Sequence, residues 1–283
     1  MKLPFFLAKR FVAGESFTES VPKAEALNQK NLKLTLDLLG ENVKNKKKAS
    51  ETVDSYIRLL DGIREHNLQS SISIKLTMMG LDIDRDFCRD NLFRLLDVAQ
   101  KHDQFVRIDM EGSDCTQPTL DIFNEAFAEY GRHVGTVIQA MLHRSKKDIE
   151  ELAEKGADIR LVKGAYKEPS KIALQDMPAI REAFKEQFKV LLSKTPCPRI
   201  ATHDDELIEW MKQYAEQENI PKDRFEFQML YGLREDTMVQ LNEEGYQTRV
   251  YVPFGSDWLP YFTRRLTERK ENIWFVLSTM FKK

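Results

Sequence analysis

FVRID (residues 105–109), TLDIFNEAFAEY (119–130), GTVIQ (135–139), KKDIEELAEK (146–155) and DIRLV (158–162) follow one another with short polar connections. The three short runs are apolar and β-branched, as strands buried on both faces are. The two longer segments space their apolar residues three and four apart, as helices with one buried face do. Strand, helix, strand, helix, strand in that order places the strands parallel, with the helices as crossovers.

The alternation extends in both directions. Towards the N-terminus, SISIKL (71–76) is a strand followed by a helix over 84–101. Before it LKLTLDL (32–38) is a strand, and a helix runs from Ser50 to His66 with Val53, Tyr56, Ile57 and Leu60 on its buried face. Lys46, Lys47 and Lys48 read as a solvated loop or helix start. Towards the C-terminus a loop holding Pro169 and Pro178 leads to a helix over 179–192. Three further pairs follow: 199–202 with 204–218, 225–229 with 235–244, and 247–252 with the helix that carries YFTRRLTE (261–268). Eight strand–helix units predict an α/β fold, a closed (βα)8 TIM-like barrel over residues 32–283. Residues 1–31, with a helix over 24–31, form an N-terminal helical appendage. An open doubly wound sheet is the alternative, but no GxGxxG or GxxxxGK[ST] turn follows any strand.

The 283 residues carry a net charge of −2 with lysines dispersed, which gives no footprint for nucleic acid. Cys88, Cys115 and Cys197 are odd in number and far apart, so no disulfide framework or zinc site is expected, and a reducing, cytoplasmic location follows. No apolar run reaches the ~18 residues of a membrane-spanning helix. The short apolar ends Phe5-Phe6-Leu7 and Trp274-Phe275-Val276-Leu277 are expected to pack in the core, with peripheral membrane contact as the alternative.

In such barrels chemistry sits at the C-terminal ends of the strands. Those ends hold Asp37, Glu41, Lys75, Asp109, Glu111, Gln139, Arg160, Lys163, Thr202, His203 and Gln228. Tyr261, Arg264, Arg265 and Glu268 are spaced i, i+3, i+4, i+7, one stripe of a helix, and paired guanidiniums suit a carboxylate or phosphate. A solvated face with Arg264 paired to Glu268 is the plainer reading. Lys75, Arg160, Lys163, Arg264 and Arg265 outnumber the facing carboxylates, so two anionic groups are expected. Val162-Lys163-Gly164-Ala165 turns at a glycine, where backbone N–H groups can approach a pyrophosphate. His203 fits a general base, a metal ligand or a cofactor hydrogen bond. No HExxH spacing and no GxSxG elbow is present, so neither a metal nor nucleophilic hydrolysis is expected.

LTLDLLGE (34–41), SISIKL, RIDMEGS (107–113), RLVKGAY (160–166), ATHD (201–204), FEFQMLYG (225–232), RVYVPFG (249–255) and YFTRRLTE occur in one order across nearly the whole chain. In these segments the chain resembles the proline dehydrogenases, FAD-dependent enzymes on a distorted (βα)8 barrel. The resemblance implies oxidation of L-proline to Δ1-pyrroline-5-carboxylate, with electrons passed to a quinone-type acceptor. It makes Asp109 and Arg160 the active-site acid and the flavin-side arginine. Lys75, Arg264 and Arg265 would clamp the proline carboxylate, Tyr261 would shape the ring pocket, and Glu268 would lie near the substrate. FAD would be lined by Met110, Gln139, Val162, Lys163, Gly164, Ala165, Thr202, His203, Gln228, Met229 and Leu230. Glu41 is a candidate to pair with Arg264 and close the site. Lys167 after GAY, Asp204 after ATH and Arg269 after RRLTE depart from residues common in the family. Without fused aldehyde dehydrogenase or DNA-binding segments, a monofunctional bacterial type is expected. A Schiff-base aldolase using Lys75 or Lys163 and a non-catalytic amino-acid-binding barrel are the alternatives.

Overall fold

The structure, a computed structural model, describes residues 4–268, with side chains as far as Thr263. Eight parallel strands close into one barrel in sequence order. They are β1 (Lys33–Leu38), β2 (Ser70–Ile74), β3 (Val106–Ile108), β4 (Val134–Gln139), β5 (Asp158–Val162), β6 (Arg199–Ala201), β7 (Glu226–Leu230) and β8 (Gln247–Phe254). Closure runs through β1 and β8, which pair from Lys33↔Arg249 to Leu38↔Phe254. Helix α1 (Phe17–Gln29) precedes the barrel. The crossovers are α2 (Lys46–Glu65), α3 (Arg85–Lys101), α4 (Ser113–Tyr130), α5 (Ser145–Glu154), α6 (Met177–Lys194), α7 (Asp205–Gln217) and α8 (Glu235–Glu243), and α9 (Trp258–Glu268) follows β8.

Three helices start at least four residues earlier than the sequence predicts. α1 runs through Pro22 and begins at Ser16, whose hydroxyl accepts from Glu19 N–H (3.3 Å) while Glu19 accepts from Glu15 N–H (2.9 Å). α2 begins in the lysine run, capped by Asn45, which accepts from Lys48 N–H at 3.1 Å, and not at Ser50. α4 likewise takes in Pro118.

Alternate strand residues face opposite ways, so the barrel sorts its side chains by parity. Leu34, Leu36, Ile72, Ile74, Val106, Ile108, Ile159 and Leu161 share one core with helix residues such as Val53, Leu92, Phe123 and Phe184. The other parity points into the barrel and is polar. Tyr251 of β8 donates to Asp109 just past β3, and Arg107 of β3 reaches Asp158 of β5, contacts between non-adjacent strands that only the interior permits.

Residues 4–13 cross the barrel mouth and hold α9. Leu7, Ala8, Phe11 and Val12 pack with Leu39, Trp258, Tyr261 and Phe262. Phe5 meets Trp258 edge-on at 5.7 Å, and Phe6 stays 49% exposed. Among the described residues no helix is long and apolar enough to cross a membrane. Trp274–Leu277 lie outside the described residues.

Candidate active site

A cavity of about 830 Å³ opens at the C-terminal ends of the strands, within the size range of cofactor and ligand pockets. It runs from Asp37 and Lys75 on one side to Arg181 and Glu206 on the other. The residues assigned to substrate, catalysis or cofactor whose side chains are described all line it: Lys75, Asp109, Met110, Gln139, Arg160, Val162, Lys163, Gly164, Ala165, Thr202, His203, Gln228, Met229, Leu230 and Tyr261; the strand-end carboxylates Glu41 and Glu111 do not. The helix α9 continues through Arg264, Arg265 and Glu268, but their side chains lie outside the described part, and with them the Glu41–Arg264 pairing.

Asp109 is the centre of the deep end. Its Oδ1 accepts from Ser73 Oγ (2.8 Å) and Arg160 Nη1 (2.7 Å), and its Oδ2 accepts from the Tyr251 hydroxyl (2.7 Å). Burial, reinforced by the Asp109 carboxylate, pushes the Tyr251 phenol well above its ordinary value, so it remains a donor. The Arg160 guanidinium also lies over the Tyr251 ring at 5.3 Å. Arg160 Nε is buried and, among the described residues, has no hydrogen-bond partner.

Beside this cluster Lys75 Nζ donates to Asp37 Oδ1 at 3.1 Å, with both side chains buried. Burial alone would lower the lysine, but the carboxylates of Asp37 and Asp109 outweigh it and hold Lys75 above its ordinary value. The ammonium is therefore a fixed positive charge. Lys75 follows β2 and opens the turn 76–78, whose Thr77 is bound by the buried Glu111 through both its N–H (3.2 Å) and its hydroxyl (2.7 Å).

The opposite end is the β5 corner. Gly164 has φ +120°, and a Cβ there would meet Met141 Sδ at 2.4 Å, so only glycine leaves this backbone open. Lys163 Nζ lies 2.8 Å from Asp204 Oδ2. Arg181, from the second turn of α6, reaches the same carboxylate. His203 is committed differently from the base or metal-ligand readings, because its Nε2 accepts from Leu230 N–H at 3.0 Å and its proton is thereby on Nδ1. Gln139 donates to Glu111 O (3.0 Å) and Gln228 to Glu226 Oε1 (2.6 Å). Among the described residues no group of His, Cys, Asp or Glu is arranged to hold a metal.

Of the five cations expected to outnumber the facing carboxylates, Arg264 and Arg265 lie outside the described side chains. Lys75, Arg160 and Lys163 each meet a carboxylate, Asp37, Asp109 and Asp204 respectively. Sequence reasoning also passed over Tyr251, Ser73 and Arg181. Tyr251 and Ser73 could have been found by parity, since they lie two residues from the polar Arg249 and Lys75. Arg181 sits on a helix and carries no such signal.

The family model described as Proline dehydrogenase matches residues 20–277. The chain belongs to the proline dehydrogenase family. It is 43% identical over 276 residues to Proline dehydrogenase 2 of Bacillus subtilis (strain 168), covering 98% of this chain and 91% of that protein. It is 38% identical over 280 residues to Proline dehydrogenase of Deinococcus radiodurans, covering 98% and 90%. Among solved structures, proline utilization A (PutA) from Bdellovibrio bacteriovorus inactivated by N-propargylglycine superposes with a TM-score of 0.85 at 27% identity. That match takes in 93% of this chain and about a third (33%) of the longer one. The barrel is thus that of a proline dehydrogenase family member.

Proposed function

We propose that this chain oxidises L-proline to Δ1-pyrroline-5-carboxylate using FAD, with the electrons passed on to a quinone-type acceptor. The observation that carries the reading is one continuous cavity joining the Asp109–Arg160–Tyr251 cluster to the Lys163–Gly164 corner. A flavin fits the residues present: the glycine corner offers open backbone to a diphosphate, and Arg160 Nε is a buried donor in want of an acceptor. Lys163, Gly164, Ala165, Thr202, His203, Gln228, Met229 and Leu230 would hold it. When bound, the flavin supplies a two-electron acceptor for the hydride that leaves the proline ring carbon next to nitrogen.

The chain's own groups bind and orient. Lys75, fixed as a cation, supplies one positive charge for the proline carboxylate, and Arg264 and Arg265 on α9 are assigned the rest. Tyr261, buried at the mouth, walls the ring. Neither Lys75 nor Asp109 is set up as a base: the first keeps its proton, and the second has both oxygens occupied by three donors. The substrate amine therefore enters neutral, having released its proton to water. The same elevation of Lys75 argues against Lys75 as the lysine of the aldolase reading, since a Schiff-base lysine needs a lowered value.

The test is a visible spectrum of the purified protein without oxygen, before and after proline. Flavin bands that bleach with proline are expected. A protein that takes up no FAD, or flavin bands unchanged by proline, would overturn the assignment.

A further inference from the structure

Lys163 and Arg181 come to the β5 corner from different elements and converge on one carboxylate. Lys163 Nζ lies 2.8 Å from Asp204 Oδ2, Arg181 Nε lies 2.9 Å from the same oxygen, and Arg181 Nη2 lies 3.2 Å from Oδ1. The Asp204 side chain is only 5% exposed, at the N-terminus of α7. It is not spent on capping that helix, since it accepts no hydrogen bond from the first turn. Burial works against its charge, yet the hydrogen bonds from Arg181 and Lys163 prevail and hold it at about 2, so it is anionic throughout the working range. The remaining Arg181 nitrogen, Nη1, is taken by Glu206 Oε2 at 2.8 Å.

These groups all line the cavity. At this corner Lys163 and Arg181 face the carboxylates of Asp204 and Glu206, with Asp205 beside them. Asp205 is paired with Arg234, and Glu206 also lies 3.6 Å from Lys185. A diphosphate brings two negative charges to a corner where the two cavity-lining cations, Lys163 and Arg181, are already paired with carboxylates, and like charges in a partly dehydrated site repel strongly.

We propose that Asp204 is a built-in counter-ion that competes with the cofactor's diphosphate for Lys163 and Arg181, lowering flavin affinity and making the cofactor exchangeable. The inference rests on the flavin reading above. Asp204 keeps the two cations paired and the corner in shape before the cofactor arrives. It also sets the cost of arrival, because both cations must be shared or released. Glu206 acts in the same direction on Arg181 alone, from a more exposed position.

The experiment compares full-length wild type, Asp204→Asn and Glu206→Gln after removal of flavin. FAD binding is read by flavin fluorescence, and ADP, which carries the diphosphate without the isoalloxazine, is read by competition. Asparagine keeps the shape and can still accept from Lys163, so only the charge is removed. Asp204→Asn is expected to bind FAD about tenfold more tightly. Glu206→Gln should shift in the same direction by about twofold, and ADP should follow the same order. Both gains should shrink as salt is raised. Binding by Asp204→Asn that equals or falls below wild type would overturn the proposal, and so would weaker binding by Glu206→Gln. The latter substitution lies on an exposed side chain and does not depend on Asp204→Asn folding. If wild type binds no FAD at all, it is the flavin reading that fails, an outcome distinct from wild-type binding that Asp204→Asn does not improve.

Discussion

The barrel interior holds two clusters of charge, one at each end, and they are built from different donors. At the lower end Arg107, Arg199 and Arg249 enclose Asp158 and Glu226. Arg199 donates to Asp158 Oδ2 through Nε (3.1 Å) and Nη2 (3.0 Å), and Arg249 donates to Glu226 through Nε (2.8 Å) and Nη2 (3.2 Å). Arg199 Nη1 bridges to Glu226 (3.2 Å), and Arg107 completes the chain on Asp158. At the upper end the partners are a lysine, one guanidinium nitrogen and two hydroxyls. Forked guanidiniums fix both partners in a plane, whereas an ammonium and hydroxyls hold a carboxylate by single contacts. The lower cluster is therefore a clamp between strands. The upper one sets charges in place around a space that a ligand can enter.

The largest test of this contrast falls on the lower cluster. Glu226→Gln would leave the half-buried Arg249 without its carboxylate and the half-buried Arg199 with Asp158 alone, and a loss of about 3 kcal/mol in stability is expected from denaturant unfolding. An unchanged midpoint would remove the clamp interpretation. Next comes the upper cluster, where Asp109→Asn should reduce proline-dependent flavin reduction by about 100-fold while changing stability by much less. Equal losses of stability in the two variants would erase the distinction between the ends.

The smallest expected effect is in acid. Burial raises Asp158, but Arg107 and Arg199 overcome it and hold the carboxylate at about 2. A depressed carboxylate stabilises the fold above its unfolded value near 4, and that stability is lost as pH falls towards 2. Asp158 should contribute about 2 kcal/mol that disappears across this window. Asp158→Asn should flatten the acid limb of the stability profile, and a limb identical to wild type would show that this pairing does not govern acid unfolding.

The two clusters were legible in the sequence to different degrees. All eight strands could be read because their outward aliphatic residues alternate or run together, a local pattern. That Lys75, Asp109, Arg160 and Lys163 stand at strand ends was equally local. Their partners were not. Asp37 and Lys75 are 38 positions apart, and Tyr251 and Asp109 are 142 apart, so the pairings depend on barrel closure and register. Arg181 was out of reach for another reason. It approaches the corner from an amphipathic helix, where an arginine normally signifies only a solvated face. The lower cluster was missed altogether, because charges at strand starts look the same as loop charges until the strands are closed into a ring.

The chain's early and late parts meet at the mouth. Trp258 Nε1 donates to Glu15 Oε1 at 3.1 Å, 243 positions away, and Phe11 lies against Phe262 at 6.3 Å between ring centroids. Gly232 is pressed so closely on residue 10 that a Cβ there would overlap the Arg10 carbonyl. Such contacts join segments made at opposite ends of synthesis, and contacts of high sequence separation form late and slowly. During translation the pocket wall is thus completed late: Tyr261 cannot line the cavity until α9 has emerged and folded back onto Leu7, Ala8, Phe11 and Val12.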